Sequence, residues 1–215
     1  LTEAFAMSES PDVKTKQQGY RLLGPIQNAK VAALFSERLA KFSNEKKGAQ
    51  LDLIENAAFQ TDESVKKALA AYTASLDSSD ILAAFAPTLH GGDVREGKEI
   101  FMTHAAGQCA KCHKVNGDGG VAGPELTGIG TRHDRAYLLE SLVSPSAVVV
   151  PGYGLTMMTL KNGKTIGGTY LSEDEAHVTL KVADPDNSAQ QIEKQIALAD
   201  IETKQPPISA MPPMG

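Results

Sequence analysis

From about 12 to 90, apolar residues recur at helical spacing. Val31, Leu34, Phe35, Leu39 and Phe42 share one face, as do Val65, Ala68, Leu69, Tyr72 and Leu76. Leu51, Ile54, Ala57 and Ala58 predict a third helix over about 49–59, set off by polar breaks at 43–48 and 60–64. Short loops between amphipathic helices favour antiparallel pairs, as in bundles and helical solenoids. No catalytic constellation stands out in this stretch, so it reads as a packing scaffold.

A new unit opens at "HGGDVREGKEIF" (90–101), where a double glycine breaks the chain and Asp93 can cap a helix over about 94–103. Residues 104–131 are glycine-rich and look irregular, which is odd unless a ligand organises them. Asp134 can cap a second helix, ended near 143 by Ser144-Pro145. From about 153 the period becomes two: "LTMMTL", "KTIGGTYL" and "HVTLKV" predict strands, with Asn-Gly in "KNGK" (161–164) suited to a type I′ turn. Residues 191–201 fit strand or helix, and three preceding strands favour a meander or barrel. The proline-rich tail "KQPPISAMPPMG" is not expected to be regular.

Composition narrows the function. Charged residues make up 22% and apolar ones 41%, with no tryptophan, as in a globular protein whose core is poor in rings. A net charge of −5 speaks against general nucleic-acid binding. No apolar run approaches the ~20 residues of a membrane span. The first residues, "LTEAFAMSES", carry neither an initiator methionine nor a signal-peptide pattern, as expected of a mature protein or a piece of a longer one.

Both cysteines of the chain lie in "QCAKCHKV" (108–115), three apart, with a histidine after the second. A thiol–disulfide oxidoreductase would place such a pair at a helix start after a buried strand, a context missing here. A structural zinc ion needs four donors, and there is no second cysteine pair. Covalent haem attachment needs two thiols one helical turn apart and an adjacent imidazole for iron.

The residues around this motif resemble the class I mono-haem cytochrome c core. Gly97 and Phe101 match a G-x-x-x-F helix before the haem motif, and Gly123, Pro124 and Leu126 match the G-P-x-L motif after it. Over about 91–215 the chain looks closest to the C-terminal haem-binding domain of secreted dehydrogenase proteins of the planctomycete and verrucomicrobial type. The resemblance implies one haem c on Cys109 and Cys112, with His113 as proximal ligand and the Pro124 carbonyl holding its Nδ1–H. It implies Met211 as distal ligand, with Met214 as the alternative, after a small β insertion. It also implies a closing helix that would be missing after Gly215.

The expected architecture is mainly α. A helical, HEAT-like segment (1–90) precedes a cytochrome c core (91–150), a small β meander or barrel (151–204) and a distal-ligand loop (205–215). The expected role is electron transfer rather than catalysis, in the periplasm or otherwise outside the bacterial cytoplasm. Its partners would be a redox partner protein or fused dehydrogenase domain and a small acceptor protein, without nucleic acid. The rivals are a haem enzyme or sensor whose open distal site binds peroxide or oxygen, and an interaction module built on the helices. Arg132 is a candidate partner for a haem propionate, His104 and His133 could approach the haem, and one of Met157 and Met158 is expected in a core.

Overall fold

The computed structural model describes residues 1–187 and 189–214; Ser188, in the expected β segment, and Gly215, in the expected distal loop, lie outside the described residues. The chain divides into two compact units, Leu1–Gly97 and Lys98–Gly215.

The first unit is helical: α1 (Thr2–Ser8), α2 (Val13–Leu23), α3 (Ala29–Ala40), α4 (Lys47–Ala57) and α5 (Glu63–Ala74). Asp12, Asn28 and Asp62 accept backbone N–H bonds at the starts of α2, α3 and α5, satisfying donors that a helix leaves unpaired. α1 packs on α2, α2 on α4, and α3 on α5. Their apolar faces meet in a core that includes Tyr20, Leu23, Val31, Phe35, Leu53 and Val65.

A charged group is buried beside that core. The Lys16 ammonium lies 3.3 Å from the Glu45 carboxylate, and the Tyr20 hydroxyl donates to Glu45 at 2.6 Å. Burial alone would push Glu45 up, but the Tyr20 hydroxyl, the Lys46 N–H and the Lys16 ammonium outweigh it and hold the carboxyl below the usual glutamate range. Burial, reinforced by Glu45, drives the Tyr20 phenol far above its ordinary value.

The second unit mixes short helices with a sheet. Its helices are α6 (Val94–Thr103), which begins in the first unit, then α7 (Cys109–Cys112), α8 (Ile129–Arg132) and α9 (Arg135–Val143). Asp93 caps α6 through Arg95 N–H, and Asp134 caps α9 through Tyr137 N–H, each at 2.8 Å. A hairpin of β1 (Lys114–Val115) and β2 (Asp118–Gly119) follows α7 directly, so 104–131 is more regular than its glycine content predicts. Its turn, Asn116-Gly117, has positive φ at both residues, the type I′ geometry. At 161–164, where that turn is expected, Gly163 is in the positive region and Asn162 is not.

β3 (Gly154–Leu160), β4 (Thr165–Glu173), β5 (His177–Ala183) and β6 (Gln191–Ala197) form the antiparallel meander. β7 (Ile201–Lys204) and β8 (Ile208–Ser209) then return to the free edge of β3. The sheet order β6-β5-β4-β3-β7 leaves β6 and β7 at opposite edges. Of the expected meander or barrel, the sheet takes the open meander form: closing it would need those edges to pair. β8 is a correction to the tail, which holds a short strand where none is expected. Alternation sends Met158 inward, 1% exposed among Val178, Leu180 and Ile196, while Met157 is 49% exposed. With helices at 44% and a six-stranded sheet, the chain is mixed helix and sheet rather than mainly α.

A carboxyl held low in the folded state contributes stability above its unfolded value and loses it as pH falls through the folded value. Thermal melts followed by helical circular dichroism are therefore expected to show the first unit weakening below about pH 4.3. Glu45→Gln leaves Lys16 without its counter-charge and is expected to cost about 3 kcal/mol at neutral pH. It should also shrink the acid-dependent loss.

Candidate haem-attachment site

α7 is a single turn that starts after Gln108, a residue with φ of 47°. It places Cys109 and Cys112 at i and i+3, hence on one side of the turn. Cys109 is half-buried and Cys112 exposed. His113 N–H bonds to Cys109 C=O at 2.8 Å, and the chain then leaves the helix in extended conformation. Beyond that change of direction the imidazole meets Gly123 and Pro124.

Those residues close around the ring. His113 Nδ1 lies 2.8 Å from the Pro124 carbonyl oxygen. A carbonyl can only accept, so Nδ1 carries the proton and the Nε2 lone pair is left for another partner. A Cβ added at Gly123 would sit 2.6 Å from His113 Cε1, so residue 123 can approach the ring face only as glycine. Backbone bonds hold the approach: Gly120 N–H to Ala110 C=O, Gly123 N–H to Cys112 C=O and Leu126 N–H to Lys114 C=O, at 2.8–2.9 Å. The expected Leu126 thus contributes through its main chain.

Side chains brace the loop from outside. Thr127 Oγ1 accepts Asn116 N–H at 2.6 Å and donates to the Glu125 carboxylate. Arg132 donates to Thr127 C=O at 2.9 Å and to Glu125 C=O at 3.3 Å. Arg132, expected against a propionate, thus spends two of its five N–H donors on carbonyls of this loop. Sequence reasoning missed the Thr127–Glu125–Asn116 network, although Asn116-Gly117 signals the hairpin it closes.

Other candidates have local duties. His104 Nδ1 accepts Gly107 N–H at 3.0 Å, and His133 stacks on Tyr137 with ring centroids 3.8 Å apart. Met211 is half-buried, and its N–H donates to Ser209 Oγ. Met214 N–H donates to Leu142 C=O at 2.8 Å, bringing the tail to α9.

This arrangement fits a covalently held haem better than its rivals. Among the described residues no group of three or more His, Cys, Asp or Glu side chains is placed to hold a metal ion, whereas zinc asks for four donors. The segment before the cysteines is helix and turn, not the strand of a thiol oxidoreductase. Among the described residues neither apolar core draws a fully buried member from 98–150, and Ile100, Met102 and Leu142 stay largely exposed. A large apolar cofactor matches such surroundings.

Residues 94–180 match the family model of cytochrome c. The match supports a cytochrome c domain over this stretch. The match begins with α6, takes in the whole haem-attachment loop and ends within β5, so the methionine-bearing tail lies beyond it. No curated protein matches the chain closely enough to count as a relative. The cofactor of this cytochrome c domain is haem c, bound covalently, and Cys109 and Cys112 have the spacing for it. Such a domain suggests haem-based electron transfer.

Because Gly123 lies flat on the imidazole, Gly123→Ala is expected to displace the ring or the loop and to destabilise the second unit by about 1–3 kcal/mol. Gly130→Ala, where a Cβ would meet nothing within 4 Å, should be close to neutral. Denaturant titration of the two variants measures the difference.

Proposed function

We propose that the chain is an electron-transfer module carrying one haem c with His113 and Met211 as axial ligands. The observation that carries this reading is the His113 Nδ1–Pro124 contact. It keeps the proton on Nδ1, leaves the Nε2 lone pair available to a metal and makes the imidazole a stronger donor. Cys109 and Cys112 are the thioether anchors. Haem c supplies, when bound, a single iron centre that gains and loses one electron.

Support for Met211 comes from the tail. Prolines flank it at Pro206, Pro207, Pro212 and Pro213, which lowers the entropy lost when a weak thioether donor is held in place. Both methionines belong to the compact unit that contains His113. Thioether and imidazole ligation raises the reduction potential relative to two imidazoles, as suits a carrier accepting electrons from a dehydrogenase.

We further propose a place outside the bacterial cytoplasm, in the periplasm, and a dehydrogenase as donor, either separate or carried on the same polypeptide. The resemblance to the haem-binding domain of planctomycete and verrucomicrobial-type dehydrogenase proteins supports both. Among the described residues no helix is long and apolar enough to cross a membrane. Electrons leave to a small acceptor protein through a limited, transient interface. The helical unit serves as connector.

Met211→Ala is expected to turn the ferric haem high-spin, abolish the weak long-wavelength band of methionine-ligated ferric haem and admit carbon monoxide rapidly to the ferrous form. Met214→Ala should retain the band. The reverse pattern would move the ligand to Met214. Rapid carbon monoxide binding by the unaltered protein would favour a haem enzyme or sensor.

A further inference from the structure

We infer that Ser146 and Ser209 are positioning residues for the distal sulfur, forming a seat at the start of β3 that fixes the path of the tail to Met211. This rests on Met211 being the distal ligand. β8 pairs with the first residues of β3, Ser209 opposite Gly154 and Ile208 opposite Leu155. So short a strand holds weakly by itself, and the side chains around it supply the registration.

Ser209 is bonded at both ends. Its N–H donates to Ser146 Oγ at 3.1 Å, and its own Oγ accepts Met211 N–H at 3.1 Å. The Ser146 hydroxyl is thus two hydrogen bonds from the Met211 main chain. Ser146 rides on the turn that ends α9, where Pro145 is buried and Ala147 N–H bonds to Ser144 C=O at 2.8 Å.

The segment leading into the seat is held as well. Thr156 Oγ1 donates to Gln205 C=O at 2.5 Å, and Gln205 N–H donates to Met157 C=O at 2.9 Å. A Cβ at Gly154 would stand 2.4 Å from Val149 Cγ1 and 3.0 Å from Pro207 Cβ, so glycine there lets Pro207 and Val149 close over the strand. Beyond Met211, the Met214 N–H bond to Leu142 C=O fastens the tail to α9.

A thioether is a neutral, weak ligand, so its time on iron depends on how little ordering its loop still has to undergo. One hydrogen bond of this kind contributes about 1 kcal/mol, which corresponds to about a fivefold change in the population with sulfur released. The β insertion therefore serves the haem by holding the chain that bears its distal donor.

The test uses the full-length holoprotein and reads the methionine-to-iron band of the ferric form and the carbon monoxide association rate of the ferrous form. Ser146→Ala, at an exposed position, is expected to weaken the band and raise the association rate about fivefold, since carbon monoxide enters in proportion to the released population. Ser146→Thr should restore both. Ser141→Ala removes a hydroxyl bonded within α9 itself, to Tyr137 C=O; it should leave both readouts unchanged. A wild-type rate and band in Ser146→Ala would overturn the seat while leaving the ligand intact, provided Met211→Ala is high-spin. If Met211→Ala keeps its ferric spectrum, the ligand assignment falls and the seat with it.

Discussion

The hydrogen bond from His113 Nδ1 to the Pro124 carbonyl is the constraint around which the second unit is arranged. A histidine can offer either ring nitrogen, in two tautomers and many orientations, and iron needs one of each. The carbonyl selects the tautomer, and Gly123 against the ring face selects the orientation. Keeping that carbonyl still requires the chain from 120 to 127 to have its own supports. These are the backbone bonds to α7 and β1, the Thr127 hydroxyl against Asn116 and Glu125, and the Arg132 guanidinium on two carbonyls. Little of this is apolar packing. The loop is built from hydrogen bonds, so it stays ordered in a part of the chain that contributes no fully buried residue to either core.

The two cores lie elsewhere, and each suits its place. The helical unit combines a packed apolar core with a buried ion pair whose carboxylate also accepts from a tyrosine and a backbone N–H, which limits the desolvation cost of burying charge. The sheet has a smaller core on one face and offers the edge of β3 to the returning chain. The returning strands pair with the start of β3, and the Met214 N–H bond to Leu142 C=O brings the tail to α9. A β insertion between the haem loop and the tail thereby acts as a spacer with a defined exit.

What could be read in the sequence is what depends on near neighbours. The caps at Asp93 and Asp134 and the helical face of Val31, Phe35 and Leu39 follow from local chemistry, as does the alternation of Met157 and Met158. The Cys109–Cys112–His113 motif is equally local, which is why haem attachment was legible before any fold was known. Partners distant in sequence were not. The return of β7 and β8 to β3 depends on edge pairing, which no single strand's pattern encodes. Arg132 reaches the Thr127 and Glu125 carbonyls, and a carbonyl has no signature in the residue sequence, so these bonds were not legible. The Asn116-Gly117 turn was legible in principle. It was obscured because the surrounding glycines suggested irregular chain.

The most direct test of the account is the mass of the intact, acid-denatured chain. One haem held through thioethers at Cys109 and Cys112 predicts the chain mass increased by a single haem, with no thiol left to react with iodoacetamide. A chain of unincreased mass with two reactive thiols would contradict the account, returning Cys109 and Cys112 to thiol chemistry and leaving the His113–Pro124 contact without its iron.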